Sequence, residues 1–283
     1  VIEARAANGA PAAGRRGSRV GGPLLVPAAL FAAFLGLPVL TLIGRAIASG
    51  AIVANGEASA VLGALGLSLL TTALSLVLTV GLGLPLAVVL ARRAFRGKWL
   101  LEAFVDLPIV LPPAVAGLAL LLVLGRRGLL GGVLQSTGID IAFTTIAVVI
   151  AQTFVSAPFF VRAARAGIAG VDREMEDAAR VDGASELRVF WSVTVQLAGP
   201  TLAAGLVMTW ARALGEFGAT IMFAGNVVGR TQTLPLMVYS EFEGGDLDSS
   251  IAAAAILVVA ALGVLLAVRF FHWGRVLDVR SVG

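Results

Sequence analysis

Arg212 and Glu216 lie four residues apart inside an otherwise apolar stretch, so of all the charges in this sequence they most need a chemical explanation. Their spacing puts them on one helix face. A charge in an apolar span is costly unless it is paired or hydrated. The two therefore either border a polar pathway or its gate, or neutralise each other and lock helix packing. Ser68, Thr72, Ser75 and Thr79 recur at spacings of four, three and four, which places their hydroxyls on one helix stripe. Such a stripe can offer neutral donors to a polar solute, but the better reading is bonding to helix carbonyls or to a neighbouring helix. Asp106, beside Pro108, belongs near a membrane face or against an arginine. In a third group, Glu174, Glu176 and Asp177 precede Ala178, Ala179, Gly183 and Ala184. The acids oppose the positive end of a short helix, the alanines leave a low surface for another protein, and Gly183 permits a closing turn. On physics alone, a solvated surface helix is the better account of this segment.

The elements that must carry these residues are membrane helices. The chain of 283 residues is 58% hydrophobic and 13% charged, against about 25% charged for soluble domains, and its mean hydropathy is +0.96. It has no cysteine and one histidine, His272, which excludes disulfides and thiolate metal sites and leaves no material for a His-based metal cluster or a Ser-His-Asp triad. The pI of about 10.8 does not mark a nucleic-acid binder, because the basic residues flank apolar runs instead of forming one patch. No G-x-x-x-x-G-K-[ST] phosphate loop is present, and the sole lysine, Lys98, sits in the wrong context for one.

A crossing helix needs about 20 apolar residues, and six runs qualify: 24–47, 62–90, 100–124, 143–161, 200–223 and 251–271. Pro108, Pro112 and Pro113 predict a kink in the third. The first run is too long for a cleaved leader, so it is expected to remain as a span. Six crossings place both termini on one side of the membrane. That side carries sixteen of the 21 Lys and Arg residues, the other carries four, and Arg212 lies within a span. The asymmetry makes the termini cytoplasmic. The expected organisation is a disordered cytoplasmic tail over 1–22, a membrane domain over 23–272 with a long cytoplasmic loop at 162–198, and a short tail over 273–283. The longest outer loop is expected from Ala224 to Ser250.

The segment from Asp177 to Gly183 resembles the "EAA" loop of bacterial binding-protein-dependent ABC importer permeases, whose pattern is E-A-A, three residues, G, nine residues, I-x-L-P. Asp177 stands for the Glu, Ala178 and Ala179 match, and Gly183 falls at the required distance; Val193, Val195 and Gln196 replace the Ile, Leu and Pro. A second stretch, Ala211 to Asn226 with its Gly215-Glu216-Phe217-Gly218, is followed by Thr231-Gln232-Thr233-Leu234-Pro235-Leu236. It is similar to the molybdate permeases of that family; the Gly-Glu-Phe-Gly part is shared with sulfate and thiosulfate permeases.

The resemblance implies an all-α, six-helix membrane domain of the type I ABC importer kind in a bacterial inner membrane. It implies a transport subunit and not an enzyme. ATP and Mg would be used by two separate ATPase subunits and no cofactor held by this chain. A second copy of the chain, an extracytoplasmic molybdate-binding protein and the lipid bilayer are the further partners implied; nucleic acid is not. It makes Glu176, Asp177, Ala178, Ala179, Gly183 and Ala184 the surface that couples to the ATPase. Arg212, Glu216, Ser68 and Thr72 are then the candidates for the pathway or gate, although a bare Glu216 carboxylate would repel an oxyanion, which favours its pairing with Arg212. Tungstate, sulfate and thiosulfate remain alternatives to molybdate. An ion-gradient-driven transporter is the less favoured reading, because acids within the spans are few and no internal repeat is evident. A membrane enzyme lacks the cluster of titratable groups it would need.

Overall fold

The computed structural model describes residues 21–49 and 58–278. The rest of the two expected tails lies outside the described residues. The chain divides into two units, 1–44 and 45–283. The first is represented by most of α1 (Gly21–Ala48), whose Leu25, Leu30, Phe31 and Phe34 are all exposed. An apolar surface of this kind suits lipid and not water.

Every regular element among the described residues is a helix. The second unit continues with α2 (Ala58–Arg92), α3 (Lys98–Val110), α4 (Pro113–Leu124), the short α5 (Gly131–Ser136) and α6 (Thr145–Ala169). Then come α7 (Arg173–Val181), α8 (Glu186–Leu197), α9 (Gly199–Leu214), α10 (Gly218–Ala224), α11 (Leu234–Glu243) and α12 (Leu247–Asp278). Four helices, α1, α2, α6 and α12, are each long and apolar enough to cross a membrane; the bent pairs α3–α4 and α8–α9 raise the number to six if each crosses as a unit.

Several boundaries differ from those read in the sequence, each for a local reason. The third run is not one kinked helix but two helices meeting at 118°. Leu111 and Pro112 each precede a proline and are extended, with ψ of 133°, because a following proline disfavours the helical region. The expected loop 162–198 is mostly helical, since α6 runs on to Ala169 and α7 and α8 fill much of the remainder. The run 200–223 is broken: α9 stops at Leu214, Gly215–Phe217 are not helical, and α10 restarts at Gly218. The last helix passes 272 and is described as far as Asp278.

α6 is the hub. In its most apolar stretch 56% of the residues are buried, against 28% for α2 and α12. It runs parallel to α2, with Thr153 opposite Ser75 and Phe160 opposite Gly83. It runs antiparallel to α9, where a side chain at Gly205 would bring its Cβ within 2.6 Å of Ala163 Cβ. Small residues let membrane helices approach this closely. Three apolar clusters result: Leu90, Phe160, Ile168 and Leu202 toward the α7 end; Val148, Val155 and Phe223 among α4, α6 and α10; and Val61, Leu234, Met237 and Ala253 among α2, α11 and α12.

Candidate functional site

The acidic-alanine segment forms α7, and its start is capped: Asp172 accepts a hydrogen bond from the Glu174 amide at 3.0 Å. Glu174 and Glu176 occupy the first turn, and Arg180 the last, which suits the helix dipole at both ends. Gly183 closes the turn at φ +85°, with its amide donating to the Arg180 carbonyl. A β-carbon there would meet nothing within 4 Å, so the left-handed backbone and not crowding calls for glycine. Asp177, Ala178 and Arg180 are exposed, while Ala179 and Ala184 are half-buried. Met175, Val181 and Leu187 are exposed apolar side chains on the same corner, Val181 at 87%.

Arg180 ties the two arms of this corner together, donating to Asp177 at 2.6 Å and to Glu186 at 2.7 Å. The hydrogen bonds to Glu186 and then Asp177 raise the Arg180 pKa, and the bond from Arg180 holds the Glu186 carboxyl below its ordinary value. Beside α7 lies a cavity of about 680 Å³, lined among others by Arg92, Arg173, Glu176, Leu187 and Phe190.

Glu176 parts from the residues with which the sequence groups it. It is 6% exposed. Its Oε1 accepts hydrogen bonds from Arg92 at the end of α2, at 2.5 Å, and from the Thr194 hydroxyl at 2.6 Å. Thr194 closes a π-helical turn, Phe190–Thr194, inside α8. Neither Arg92 nor Thr194 was singled out from the sequence. The only sequence signal for Arg92 is an arginine ending a long apolar helix, and Thr194 has none.

The four hydroxyls of α2 do share one face, and it is buried against protein: Ser68, Thr72, Ser75 and Thr79 are each at most 1% exposed. Ser68 Oγ accepts from the Leu234 amide at 2.8 Å and so satisfies the start of α11. Gln152 donates to Thr72 over a long 3.4 Å, and Thr153 donates to Ser75 at 3.1 Å. These bonds join helices, while the Thr79 hydroxyl is buried without a hydrogen-bond partner.

Arg212 and Glu216 are brought together, with 2.5 Å between Nη1 and Oε2. The contact is close but not aligned as a hydrogen bond, so the Oε2 atom has charge neutralisation without an aligned donor. The other oxygen, Oε1, accepts from the Ala219 amide at 2.7 Å. Glu216, 1% exposed, thus holds the break between α9 and α10 in shape. Gly117 and Gly218 permit α10 to lie against α4: added β-carbons would come within 2.5 Å of Ala219 O and 2.7 Å of Pro113 Cβ. Asp106 faces Arg162 at 3.6 Å, and Glu102 takes Arg165 at 3.0 Å, so acids on α3 meet arginines on α6.

The segment 224–250, expected as an outer loop, is largely packed. Thr231 and Thr233 are buried, Thr231 accepts from the Val227 amide at 2.9 Å, and Leu234 and Leu236 have no exposure. Its exposed parts are the tip at Val227–Arg230, Tyr239, and the stretch from Phe242 to Asp248. Among the described residues no group of His, Cys, Asp and Glu is placed to hold a metal.

Residues 83–273 match the family described as binding-protein-dependent transport system inner membrane component. The chain is 46% identical over 205 residues to the molybdenum transport system permease protein ModB of Mycobacterium tuberculosis, covering 72% of this chain and 77% of that protein. Against the protein of the same description from Escherichia coli K12, identity is 40% over 195 residues, 69% of this chain and 85% of the other. Among solved structures, a bacterial alginate ABC transporter in complex with alginate pentasaccharide-bound periplasmic protein matches with a TM-score of 0.68 at 19% identity, over 88% of this chain and 92% of that one. At that identity the likeness carries the fold: an all-α type I ABC importer transmembrane domain.

Proposed function

Because the chain belongs to the family of binding-protein-dependent transport system inner membrane components, we propose that it is the membrane-spanning permease subunit of an ATP-driven importer for molybdate. The observation that carries the reading is the α7 corner. It is a capped helix presenting Asp177, Ala178 and Arg180 to solvent beside exposed Met175, Val181 and Leu187, and it lies at the end of the molecule where the arginines concentrate. Charge asymmetry puts that end in the cytoplasm, together with both termini. Small alanines let a partner approach closely, and the exposed apolar side chains give it surface to bury. Relatives named for molybdenum transport, at up to 46% identity, support molybdate as the solute.

The chain lacks a phosphate loop, so hydrolysis of MgATP falls to separate ATPase subunits, two of them, docked beneath two copies of this chain. A binding protein on the far side delivers the oxyanion. ATP biases the assembly only so far as it binds the closed ATPase pair better than the open one. Closure draws the two α7 corners together, the helices turn with them, and access to the solute alternates. Within each copy the pair of half-buried Arg212 and buried Glu216 serves as a packing device at the α9–α10 break; the solute meets neutral groups or amides more readily than this occupied carboxylate.

The test is uptake of radiolabelled molybdate into vesicles carrying the purified chain with its ATPase and binding protein. Uptake should require ATP inside and all components. Uptake driven by a proton or sodium gradient without the ATPase would overturn the reading.

A further inference from the structure

A surface built only for docking has no use for a buried carboxylate beneath it, yet α7 carries one. The Glu176 side chain is 8% exposed, and the Arg92 side chain that meets it 19%. A charge-assisted bond from Arg92 and a hydroxyl bond from Thr194 converge on one oxygen, and such bonds are among the stronger side-chain contacts. They join elements far apart in sequence: Arg92 ends α2, Glu176 sits in the first turn of α7, and Thr194 ends the π turn of α8. α8 leads at a 74° bend into α9, whose far end carries Arg212, with Glu216 in the break just beyond it.

The other links between α7 and its surroundings are weaker. Arg180 reaches Glu186 on an exposed corner, where ion pairs contribute little. A helix of nine residues is too short to be stiff by itself, so its rigidity must come from what it is fastened to. A wide π turn shifts the register of the residues after it, and such turns recur at functional positions; here it delivers Thr194 to Glu176.

We infer that Glu176, Arg92 and Thr194 form a clamp that makes α7, the end of α2 and the π turn of α8 move as one body. A push on the exposed face of α7 then reaches α2 and α9 directly instead of being absorbed by flexible turns. Glu176 is on this account a positioning residue and not part of the docking face. The inference rests on the reading of α7 as the helix that meets the ATPase.

The full assembly in nanodiscs tests it. The chain has no cysteine, so spin labels attached to it at Arg93→Cys and Val181→Cys before it is assembled with its partners report only the chosen sites. In assemblies with one labelled copy, that distance should stay within about 2 Å between nucleotide-free and ATP-bound states, below the scale of a segmental rearrangement. Labels at Val181→Cys on both copies should approach each other on ATP binding. In Glu176→Ala and Thr194→Val, the molybdate carried per ATP hydrolysed should fall, at least about tenfold for Glu176→Ala, as expected for loss of a hydrogen bond to a charged group. Glu176→Asp, with the carboxylate retained, should recover part of that ratio. A distance from 93 to 181 that changes with nucleotide in the unsubstituted pair overturns the clamp, and does so even if the Glu176 variants fail to insert. So does a wild-type transport ratio in Glu176→Ala. Failure of the wild-type chain to bind its ATPase would instead sink the docking reading.

Discussion

Replacing Gly117 with alanine should destabilise the chain far more than one methyl group suggests. The new β-carbon would come within 2.5 Å of the Ala219 carbonyl oxygen and 2.8 Å of both Ala219 Cα and Met222 Cβ. Restoring the 3.4 Å of ordinary contact requires α10 to move about 0.9 Å from α4. Two of the obstructing atoms are backbone, so no rotamer change relieves them. Overpacking costs about 1–3 kcal/mol, and a backbone obstruction belongs at the upper end. Alanine recovers about 1 kcal/mol in helix propensity over glycine, leaving a net loss of about 2 kcal/mol. The matched control is Gly63→Ala in α2, where the added carbon meets nothing within 4 Å and propensity alone predicts a gain of up to about 1 kcal/mol. Reversible unfolding of both variants in mixed micelles, followed by circular dichroism, measures the difference directly. The same shift would pull the Ala219 amide from Glu216 Oε1, now 2.7 Å away, so amide exchange at Ala219 should rise. If Gly117→Ala unfolds at the wild-type midpoint or above it, the close α4–α10 approach is wrong, and with it the reason given for that glycine.

Glu216→Ala should cost about 2–4 kcal/mol in the same assay. It leaves the buried Ala219 amide unpaired and strips Arg212 of its partner, and breaking a buried pair is expensive, though Arg212 at 29% side-chain exposure is partly rehydrated; a loss below about 0.5 kcal/mol would contradict the bridging role. Gly183→Arg should insert and assemble normally in the membrane, since nothing crowds that site, but strain at φ +85° of about 1–2 kcal/mol and the added bulk should abolish uptake; normal ATP-dependent uptake would count against ATPase docking there. Glu186 titrates below its ordinary 4.5 because of the Arg180 hydrogen bond. A depressed carboxyl contributes above its unfolded pKa and loses that contribution as pH falls through the folded one. Intrinsic-rate-corrected amide exchange over Ala178–Ser185 should therefore be flat from neutral pH down to 4.5 and rise only below it. Glu186→Gln should remove the rise, and a rise beginning near pH 7 would refute the assignment.

How far the candidate site could be read from the sequence depended on the range of the contact involved. The Arg212–Glu216 pairing was legible from the four-residue spacing, although Glu216 sits in the break just past α9 and not on its helix face. So was the turn at Gly183, and so was a distortion near Pro112, although its size was not. The break at Gly215–Phe217 was not legible: the run from 200 to 223 is uniformly apolar apart from its charges and hydroxyls, and what interrupts it is Glu216 capping the Ala219 amide while Gly117 and Gly218 dock α10 on α4. Likewise, alternating hydroxyls disclosed a stripe on α2 but not that Ser68 satisfies the start of α11, 166 residues away.

Composition and the spacing of charged residues by themselves pointed to a multi-helix membrane protein, because the cost of burying charge in lipid acts on each segment separately. The family likeness was equally present in short motifs. Tertiary structure alone decided which way each polar group on a helix faces. Glu176 and Asp177 are neighbours in the chain, yet one is buried on Arg92 and Thr194 and the other is exposed. The helical turn of 100° per residue separates them, and which side is the inside depends on partners 84 and 18 residues distant that no local pattern specifies.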